Sequence, residues 1–373
     1  MTEKCLDTAT PIRVIHLASG DLWGGAEAVV YNLVKGLKAH RGLDLMVVLL
    51  NKGRLVDVCI EEGVPTRIVD EAKFNFPQLV FQLRRLAGNF KPDIIHSHGY
   101  KENVLALLAR PLHSNAKLTT TIHGLFEGHG KFKTRIAIKF ELLALRFFFN
   151  KIVAVSGEIA QTLSQIYSIP PQKIETIRNG IEMPKGPRHR TAKKEGITIG
   201  SAGRLFPVKD YPFMVDIAKE LCAKRDDVRF ILAGDGPDRE KIVSKIHEYG
   251  ISDRFKLLGH LDDMKDFYSQ IDLYLNTSHH EGLPMTIIEA MTYSIPIVAP
   301  HVGGLPEIVE HTKTGWLVKN RSAGEFVRVI ERALSNGRET VSVGKRARDM
   351  VEEQFSIDCM SESYMNMYID LVR

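Results

Sequence analysis

Short apolar runs alternate along the chain with segments whose apolar residues repeat at helical spacing. The first run, Ile12–Ala18, is followed by a helical pattern over Ala26–Ala39. A nearly continuous apolar run of this length indicates a strand buried on both faces, which is typical of parallel sheets. The alternation continues through the first half of the chain and begins again at Ile197. Repeated βαβ units of this kind predict an α/β protein with mostly parallel sheets.

The other predicted strands share the same apolar character. They are Leu43–Leu50, Thr66–Val69, Asp93–His96, Lys117–Ile122, Lys151–Val155, Ile197–Gly203, Val228–Gly234, Phe255–Leu258, Asp272–Asn276 and Gly315–Val318. The predicted helices are Pro77–Ala87, Glu102–Ala109, Thr134–Phe149, Ser156–Ile166, Tyr211–Ala223, Met285–Tyr293 and Ile357–Val372, with another after Ser322. Ser156 and Ser322 are plausible N-caps for the helices that follow them.

A basic segment without periodicity divides the chain. At 373 residues the chain is too long for one ordinary core and fits two domains. The segment 182–195 contains two prolines, a glycine and six basic residues, so it is predicted to be a linker. We therefore expect one domain over residues 1–180, a linker over 181–196 and a second domain over 197–356.

Composition narrows the class of protein. With 44% hydrophobic and 25% charged residues, the chain has the balance of a folded, soluble protein. Its net charge of +5 is mild, so nucleic acid is not the expected partner. The four cysteines have no metal-binding spacing, the N-terminus does not resemble a secretory signal, and no apolar run reaches the ~18 residues of a membrane span. These features favour a cytoplasmic protein.

The most informative stretch runs from residue 279 to residue 318. After the strand ending at Asn276 come a polar loop, Glu281, a turn made of Gly282, Leu283 and Pro284, and a helix beginning at Met285. A strand, loop and helix in this order put the helix N-terminus at the carboxyl edge of a parallel sheet, where open α/β folds bind ligands. The free N–H groups there, including those near Thr286, suit an anion such as a diphosphate.

Two carboxylates bracket this predicted anion site. Glu281 precedes the first helical turn, whereas Glu289 lies one turn deeper on an otherwise apolar segment. A carboxylate buried there requires hydrogen-bonding partners, and ligand hydroxyls would serve. The alternative is that Glu281 is a solvated loop residue and Glu289 an exposed helix residue.

Two cations follow the first strand of the second half. Arg204 leaves the end of that strand, and Lys209 precedes the next helix. Fixed cations at a carboxyl edge would stabilise the charge that grows on a leaving diphosphate. The alternative is that both are ordinary surface residues.

Histidines and glycines mark strand ends in the first half. His96 and His98 follow one predicted strand and His123 another. They suit a ligand site, but hydrogen-bonded structural histidines and, with less support, a zinc site remain alternatives. Gly24 and Gly25 follow the first strand and either allow close approach of a sugar or phosphate or form a tight turn. G-x-G-x-x-G is absent, so a dinucleotide-dependent oxidoreductase is weakly supported.

The segment 130–151 is the most basic and aromatic part of the chain. It contains six basic residues and one acid, Glu141, while Phe132, Ile136, Phe140 and Leu143 recur at helical spacing. This pattern predicts an amphipathic basic helix. It either packs on the core with a solvated basic side or lies on an anionic lipid surface.

The stretch E-G-L-P-M-T-I-I-E, with A-M-T-Y-S-I-P-I-V-A and G-G-L-P-E-I-V after it, resembles the signature of retaining family-four glycosyltransferases of GT-B fold. The resemblance implies two Rossmann-like domains facing across an interdomain cleft, with helix 357–373 crossing back onto the first. It places Glu281 on the transferred sugar, Glu289 on the nucleotide ribose, and Arg204 and Lys209 on the diphosphate. It further places His123 at the sugar and reaction centre, His98 near the acceptor, and the loop of Gly24 and Gly25 facing the diphosphate. The loops containing Gly234 and Leu261 would line the base pocket.

The implied reaction transfers a hexose from a nucleoside-diphosphate sugar, UDP favoured over GDP, to an acceptor hydroxyl. No Asp-x-Asp is present, so no metal clamp is expected. The expected acceptor is a glycan or lipid-linked molecule of polysaccharide, lipopolysaccharide or glycolipid assembly at the inner face of a membrane. The alternatives are a nucleotide-sugar epimerase of the same fold and a non-catalytic nucleotide-sugar-binding scaffold.

Overall fold

The computed structural model describes residues 10–20, 23–111, 114–124, 132–184 and 196–373, without the side chains of 132–137. The chain forms two compact units. Unit 1 comprises residues 1–182 and 356–373, and unit 2 comprises residues 183–355. Most of the predicted linker lies outside the described residues.

Unit 1 is built on a seven-stranded sheet in which every pair of neighbours is parallel. Its strands are β1 (Ile12–Ala18), β2 (Leu43–Leu49), β3 (Thr66–Ile68), β4 (Ile94–Ser97), β5 (Lys117–Ile122), β6 (Lys151–Ala154) and β7 (Ile174–Thr176). The order is β3-β2-β1-β4-β5-β6-β7, and His16 of β1 pairs with His96 of β4. The strand order reverses between β1 and β4, which is where doubly wound sheets open a ligand crevice.

The helices of unit 1 that follow these strands are amphipathic or apolar. They are α1 (Gly25–Lys38), α2 (Arg54–Glu61), α3 (Phe76–Phe90), α4 (Tyr100–Ala109), α5 (Phe132–Phe148) and α6 (Gly157–Gln165). The Ser156 side chain accepts a hydrogen bond from the Ile159 N–H, which confirms the predicted N-cap of α6.

Unit 2 repeats the architecture on a six-stranded parallel sheet. Its strands are β8 (Ile197–Ala202), β9 (Val228–Ala233), β10 (Phe255–Gly259), β11 (Leu273–Leu275), β12 (Ile297–Pro300) and β13 (Trp316–Val318). The order β10-β9-β8-β11-β12-β13 reverses between β8 and β11. The predicted pair of parallel Rossmann-like sheets is thereby confirmed.

The helices of unit 2 cover both faces of this sheet. They are α7 (Tyr211–Lys224), α8 (Arg239–Glu248), α9 (Lys265–Gln270), α10 (Met285–Thr292), α11 (Leu305–Ile308), α12 (Ala323–Ser335) and α13 (Gly337–Gln354). The Ser322 side chain caps α12 by accepting from the Glu325 N–H, as predicted. The core contains fully buried Phe230, Leu232, Ile330 and Phe326.

The last helix, α14 (Ile357–Val372), belongs to unit 1, where it packs against α1. Met360, Tyr364, Met367 and Tyr368 are all buried there. Both tyrosine hydroxyls reach polar side chains of the central strands. The sequence therefore brings its C-terminal polar groups back to the switch point of the first sheet.

Helix α5 packs on the core, but not through Phe140 and Leu143, two of the apolar residues predicted to lie along one side of it. Phe140 and Leu143 are 67% and 50% exposed, and Phe147 and Phe148 are 65% and 54% exposed. The buried side of the helix is formed by Glu141, Ala144 and Leu145 instead, and Phe149, which follows the helix, is also buried. Within the described residues, no helix combines the length and apolar character needed to cross a membrane.

Candidate active site

Two loops meet at the switch point of unit 2, where β8 and β11 lie side by side. One loop follows β8 and contains a 3-10 turn, Pro207–Lys209. The other follows β11, and its His279 N–H donates to the Val208 carbonyl at 2.8 Å. Thr277 Oγ1 also donates to the Lys209 carbonyl at 3.0 Å. These bonds fix the loop that carries Lys209 against the loop that carries Glu281.

The Lys209 ammonium and the Glu281 carboxylate form a bidentate pair at this junction. Lys209 Nζ lies 2.7 Å from Glu281 Oε1 and 2.8 Å from Oε2. Glu281 is only 6% exposed, and it also accepts from Ser278 Oγ at 2.5 Å and Asn276 Nδ2 at 3.2 Å. Because three donors hold the carboxylate, its orientation is fixed before any ligand binds. Two of the residues predicted to form the site are therefore in direct contact.

Arg321 connects the two loops that carry this pair. Its guanidinium donates to Asp210 Oδ2 and to the Thr277 carbonyl, both at 2.6 Å, and to the Ser278 carbonyl at 3.0 Å. Each bond holds one of the two loops in place. Sequence reasoning missed Arg321, because it follows β13 and lies 40 residues after Glu281 without a recognisable motif. Only the sheet order brings it here.

Helix α10 begins directly after the Glu281 loop. Its N-cap residue, Pro284, supplies no side-chain hydrogen bond, so the first-turn N–H groups at Met285 and Thr286 are not capped by a side chain. Gly282 and Leu283 form the turn that leads into the helix. Uncapped N–H groups and the positive end of the helix dipole favour an anion at this position.

Close backbone contacts shape the neighbouring edge of the same sheet. A Cβ at Gly234, whose φ is +132°, would lie 1.9 Å from the Gly203 carbonyl oxygen, so only glycine fits. The Gly234 N–H also donates to Gly259 O at 2.7 Å. Leu261 follows in the loop after β10. The ends of β8, β9 and β10 therefore contact one another through backbone groups.

Arg204 is at this edge but is not part of the ion-paired cluster. It is exposed, and its guanidinium carbon lies 5.4 Å from the centre of the Phe206 ring. The predicted cation pair is therefore not symmetrical: Lys209 is held by Glu281, whereas Arg204 is stacked at the surface. A long exposed guanidinium is well suited to reach a phosphate from outside.

Glu289 has a protein partner as well as a buried environment. Tyr268 Oη donates to Glu289 Oε2 at 2.6 Å, one turn inside α10. Burial raises the pKa of Glu289 to about 7, against a smaller opposing effect of the Tyr268 hydrogen bond. The sequence predicted that a carboxylate here needs partners, but it did not identify the tyrosine.

This shift predicts a pH-dependent stability difference for Glu289→Gln. The carboxyl pKa is raised from 4.5 to about 7 on folding, so the stabilising contribution is complete below pH 4.5 and is lost as pH rises through 7. We expect the wild type to lose up to about 3 kcal/mol relative to the variant over this interval. Denaturant unfolding of both proteins from pH 4.5 to 8 measures the difference.

Glu141 titrates in the same pH range, because burial also raises its pKa to about 7. It is present in both proteins, so its contribution cancels in the difference. If the difference in unfolding free energy between the two proteins stayed constant across this pH range, the pKa of Glu289 would not be raised on folding and the prediction would be wrong.

In unit 1, histidines cluster at the switch point between β1 and β4. His98 follows β4 and His123 follows β5, and His98 Nδ1 lies 3.4 Å from His123 Nε2. His16 Nδ1 lies 2.9 Å from His98 Nε2. Burial lowers the pKa of His16 to about 3 and that of His123 to about 4, so these rings are neutral at physiological pH. His16 was missed from sequence, although it is the one polar residue between buried positions of β1.

The zinc interpretation of His96, His98 and His123 changes in the structure. The three histidines whose nitrogens lie within 4.8 Å of one another are His16, His96 and His98. Their rings are stacked or tilted, with 15° between His16 and His98 and 26° between His96 and His98. Within the described residues, every ring nitrogen of these three histidines already lies within 3.4 Å of a hydrogen-bonding partner. A tetrahedral zinc ion would have to displace some of these partners.

Gly24 and Gly25 lie in the loop that follows β1, the strand that carries His16. Gly24 is the N-cap of α1, with φ −149°, and Gly25 is the first helical residue and is exposed. Gly24 has no side chain that could cap the helix. The N-terminus of α1 is therefore a second position where backbone N–H groups are not capped by a side chain.

Family models account for both units. Residues 23–183 match the model described as Glycosyltransferase Family 4, and residues 184–350 match the model described as Glycosyl transferases group 1. Together they cover nearly all of the sheet and site residues described above. The chain belongs to the family-four glycosyltransferases of GT-B fold.

Curated relatives of this family-four glycosyltransferase include two bacterial enzymes. The chain is 25% identical over 303 residues to the poly(ribitol-phosphate) alpha-N-acetylglucosaminyltransferase of Staphylococcus aureus, a match that covers 80% of this chain but only 59% of that protein. It is 22% identical over 384 residues to the UDP-Gal:alpha-D-GlcNAc-diphosphoundecaprenol alpha-1,3-galactosyltransferase of Escherichia coli, covering 98% of both chains.

Solved structures show the same fold. HepE from Anabaena, crystallised in complex with UDP-glucose, superposes on this family-four glycosyltransferase with a TM-score of 0.83 at 19% identity, over 96% of this chain and all of that chain. At this identity the likeness establishes the GT-B fold alone.

Proposed function

We propose that the protein is a retaining hexosyltransferase that uses a nucleoside-diphosphate sugar, with UDP favoured over GDP. The donor is bound mainly by the domain of residues 197–356 and the acceptor by residues 1–180. The observation that carries the proposal is the bidentate Lys209–Glu281 pair beside the N-terminus of α10, at the switch point of the second sheet. A diphosphate placed there meets a cation and uncapped N–H groups, while its sugar meets an oriented carboxylate.

In this scheme the chain stabilises the leaving diphosphate without a metal ion. Lys209, Arg204 and the N–H groups at Met285 and Thr286 offset the charge that grows as the glycosidic bond breaks. Glu281 and His123 position the sugar, and Glu289 binds the ribose. The acceptor oxygen attacks the anomeric carbon on the face that the phosphate leaves, and the departing phosphate oxygen takes the acceptor proton. Configuration is therefore retained.

The names of relatives support a UDP-sugar donor and a cell-surface acceptor. The Escherichia coli relative is named for a UDP-galactose donor and a lipid-diphosphate-linked sugar acceptor, and the Staphylococcus aureus relative for a poly(ribitol-phosphate) acceptor. We infer that this chain acts in the assembly of a polysaccharide, lipopolysaccharide or glycolipid. Neither relative is named as an epimerase or a scaffold, so those two alternatives gain no support.

Thermal unfolding with a panel of nucleotides tests the donor assignment. UDP and UDP-sugars are expected to raise the melting temperature more than GDP or ADP, because a ligand that binds only the folded state stabilises it by mass action. The preferred donor is then incubated with a crude lipid-linked acceptor fraction, and the anomeric configuration of the product is read by NMR. Inverted product, or no melting shift with any nucleotide, would overturn the proposal.

Helix α5 supports an acceptor that is held in a membrane. Phe140, Leu143 and Phe147 are spaced three and four residues apart, so they line one face of the helix, and all three are at least half exposed. Lys139 and Arg146 are exposed beside them. Lys131, and the side chains of Lys133 and Arg135, lie outside the described residues. We propose that this face lies on an anionic lipid surface at the inner side of a membrane.

The double variant Phe140→Ser with Phe147→Ser is expected to lose at least about tenfold in binding to anionic vesicles, because burying one phenylalanine contributes roughly 1.5–3 kcal/mol. Flotation with vesicles of phosphatidylcholine and phosphatidylglycerol measures this. Phe81→Ser is the matched control, since Phe81 is 63% exposed on α3. Equal flotation of the double variant and this control would remove α5 from membrane binding.

A further inference from the structure

A continuous run of hydrogen bonds connects helix α14 to the strand end at His123. Its groups come from β1, β4, β5 and α14, so four elements of unit 1 meet in it. In order along the run they are Tyr364, Thr121, His96, Tyr368, His16, His98 and His123. The separations are 2.6–3.2 Å except for the last, between His98 Nδ1 and His123 Nε2, which is 3.4 Å. We call this run the histidine–tyrosine relay.

The relay uses every ring nitrogen of its first three histidines. His96 contacts Thr121 and Tyr368, His16 contacts Tyr368 and His98, and His98 contacts His16 and His123. The exception is His123 Nδ1, which is buried and has no hydrogen-bond partner among the described residues. The relay therefore has two ends: the Tyr364 hydroxyl and this nitrogen.

Counting hydrogens restricts the direction of the relay. Each neutral imidazole or hydroxyl has one hydrogen to donate, so seven groups joined by six bonds leave one hydrogen over. If all bonds ran towards Tyr364, its hydroxyl hydrogen would be unpaired. Tyr364 is 1% exposed, and its one hydrogen bond in the described part of the chain is to Thr121.

The opposite direction leaves weaker groups unpaired. When Tyr364 donates to Thr121 and every later group donates onward, the hydrogen on His123 Nδ1 is unpaired and the Tyr364 oxygen accepts nothing. The reverse direction leaves the Tyr364 hydrogen and the His123 Nδ1 lone pair unpaired. A phenol hydroxyl is a stronger donor than a neutral imidazole N–H, and an imidazole nitrogen is a stronger acceptor than a phenol oxygen, so the first direction is the more stable.

We propose that the relay holds His123 in the Nδ1–H tautomer, so that it presents a neutral hydrogen-bond donor to an oxygen atom of the bound sugar. Tyr368, His16 and His98 act as positioning residues for His123. This inference deepens the proposed function. The identity of the ligand, a sugar, rests on the proposed function, whereas the tautomer of His123 rests only on the hydrogen bonds of the relay.

The same direction assigns all four rings. Donation from Thr121 to His96 Nε2 places the hydrogen of His96 on Nδ1, and the pattern repeats at His16, His98 and His123. Neutrality is supported by burial, which lowers the pKa of each of these histidines. The relay therefore predicts four Nδ1–H tautomers, whereas the reverse direction predicts four Nε2–H tautomers.

Long-range ¹H–¹⁵N correlation spectra of the full chain, labelled with ¹⁵N-histidine and free of donor, test this directly. We expect His16, His96, His98 and His123 all as Nδ1–H at neutral pH. Nε2–H at His123 in the wild type would overturn the proposal. So would loss of the His16, His96 and His98 signals on adding one equivalent of Zn²⁺, since that result would show a metal site instead.

Two tyrosine variants separate the relay from general packing. Tyr368→Phe breaks the relay in the middle and leaves the segment from His16 to His123 free to run either way, so the Nδ1–H fraction of His123 should fall about twofold. Tyr364→Phe removes the corresponding hydroxyl one helical turn earlier, at the end of the relay. Thr121 can still donate to His96, so His123 should keep its tautomer. An unchanged His123 in Tyr368→Phe would refute the positioning role.

These spectra do not depend on transferase activity, so failure of the proposed function leaves them valid. Adding UDP-glucose then tests the ligand. If the nucleotide sugar binds, the His123 Nδ1–H proton should move downfield as it gains an acceptor. If it binds without moving this resonance, the sugar contact is wrong while the donor assignment stands.

Discussion

Replacing Lys209 with alanine is expected to lower the turnover of sugar transfer by roughly 10²- to 10³-fold at saturating donor. Removing one preorganised charge partner of a developing anion typically costs about 3 kcal/mol of transition-state stabilisation. Lys209 is preorganised here because its ammonium is fixed 2.7 and 2.8 Å from the two oxygens of Glu281. Initial rates with the preferred UDP-sugar measure the effect on kcat and KM separately.

The control for this variant is Lys224→Ala. Lys224 also ends in an ion pair, 3.6 Å from Glu331, but both side chains are largely exposed at the end of α7. An exposed pair contributes little, so this variant should retain wild-type turnover and stability. Wild-type turnover in Lys209→Ala as well would exclude Lys209 from the mechanism.

The stability of Lys209→Ala is expected to fall together with its activity. Glu281 is 6% exposed, and without Lys209 its carboxylate keeps only the neutral donors Ser278 and Asn276. Glu281→Gln combined with Lys209→Ala removes the unpaired charge and should recover part of the melting temperature without recovering turnover. Recovery of turnover in the double variant would show that Lys209 acts only by neutralising Glu281.

The elements that carry the site follow from local patterns in the sequence. Strand β8 and helix α10 were predicted to within one or two residues, because apolar runs and helical spacing leave few alternatives there. The placement of Glu281 and Lys209 at one sheet edge also followed, since both come directly after strands of a parallel sheet. What the sequence alone left open was whether the two side chains touch each other.

Contacts that depend on strand order were not predictable in this way. Arg321 reaches the Glu281 loop because β13 and β11 lie on the same side of β8 in the second sheet, which local spacing does not reveal. His16 and Tyr368 meet only because α14 returns to the first unit. The sequence could not decide between core packing and lipid binding for α5 for a related reason. Periodicity shows that an apolar stripe exists, but tertiary packing decides which side of the helix is buried.

Gly303→Ala is expected to reduce both turnover and stability, although Gly303 has no role in the chemistry. A Cβ at this position would lie 2.0 Å from the Glu281 carbonyl oxygen, and the residue has φ +56°. Real Cβ atoms do not approach closer than 3.0 Å, so the backbone at Glu281 must shift by about 1 Å. A misplacement of this size can cost on the order of 10²-fold in rate.

The variant Gly250→Ala separates displacement from backbone strain. Gly250 has a similar φ of +65°, but no atom lies within 4 Å of a Cβ built there. Both variants should lose about 1 kcal/mol because alanine disfavours positive φ. Only Gly303→Ala should also lose turnover, since only there does the added methyl group push the Glu281 main chain, which the Gly304 N–H otherwise holds at 2.9 Å. If both variants transfer sugar equally well, the position of Glu281 does not limit the reaction, and the carboxylate would have to be removed from the proposed mechanism.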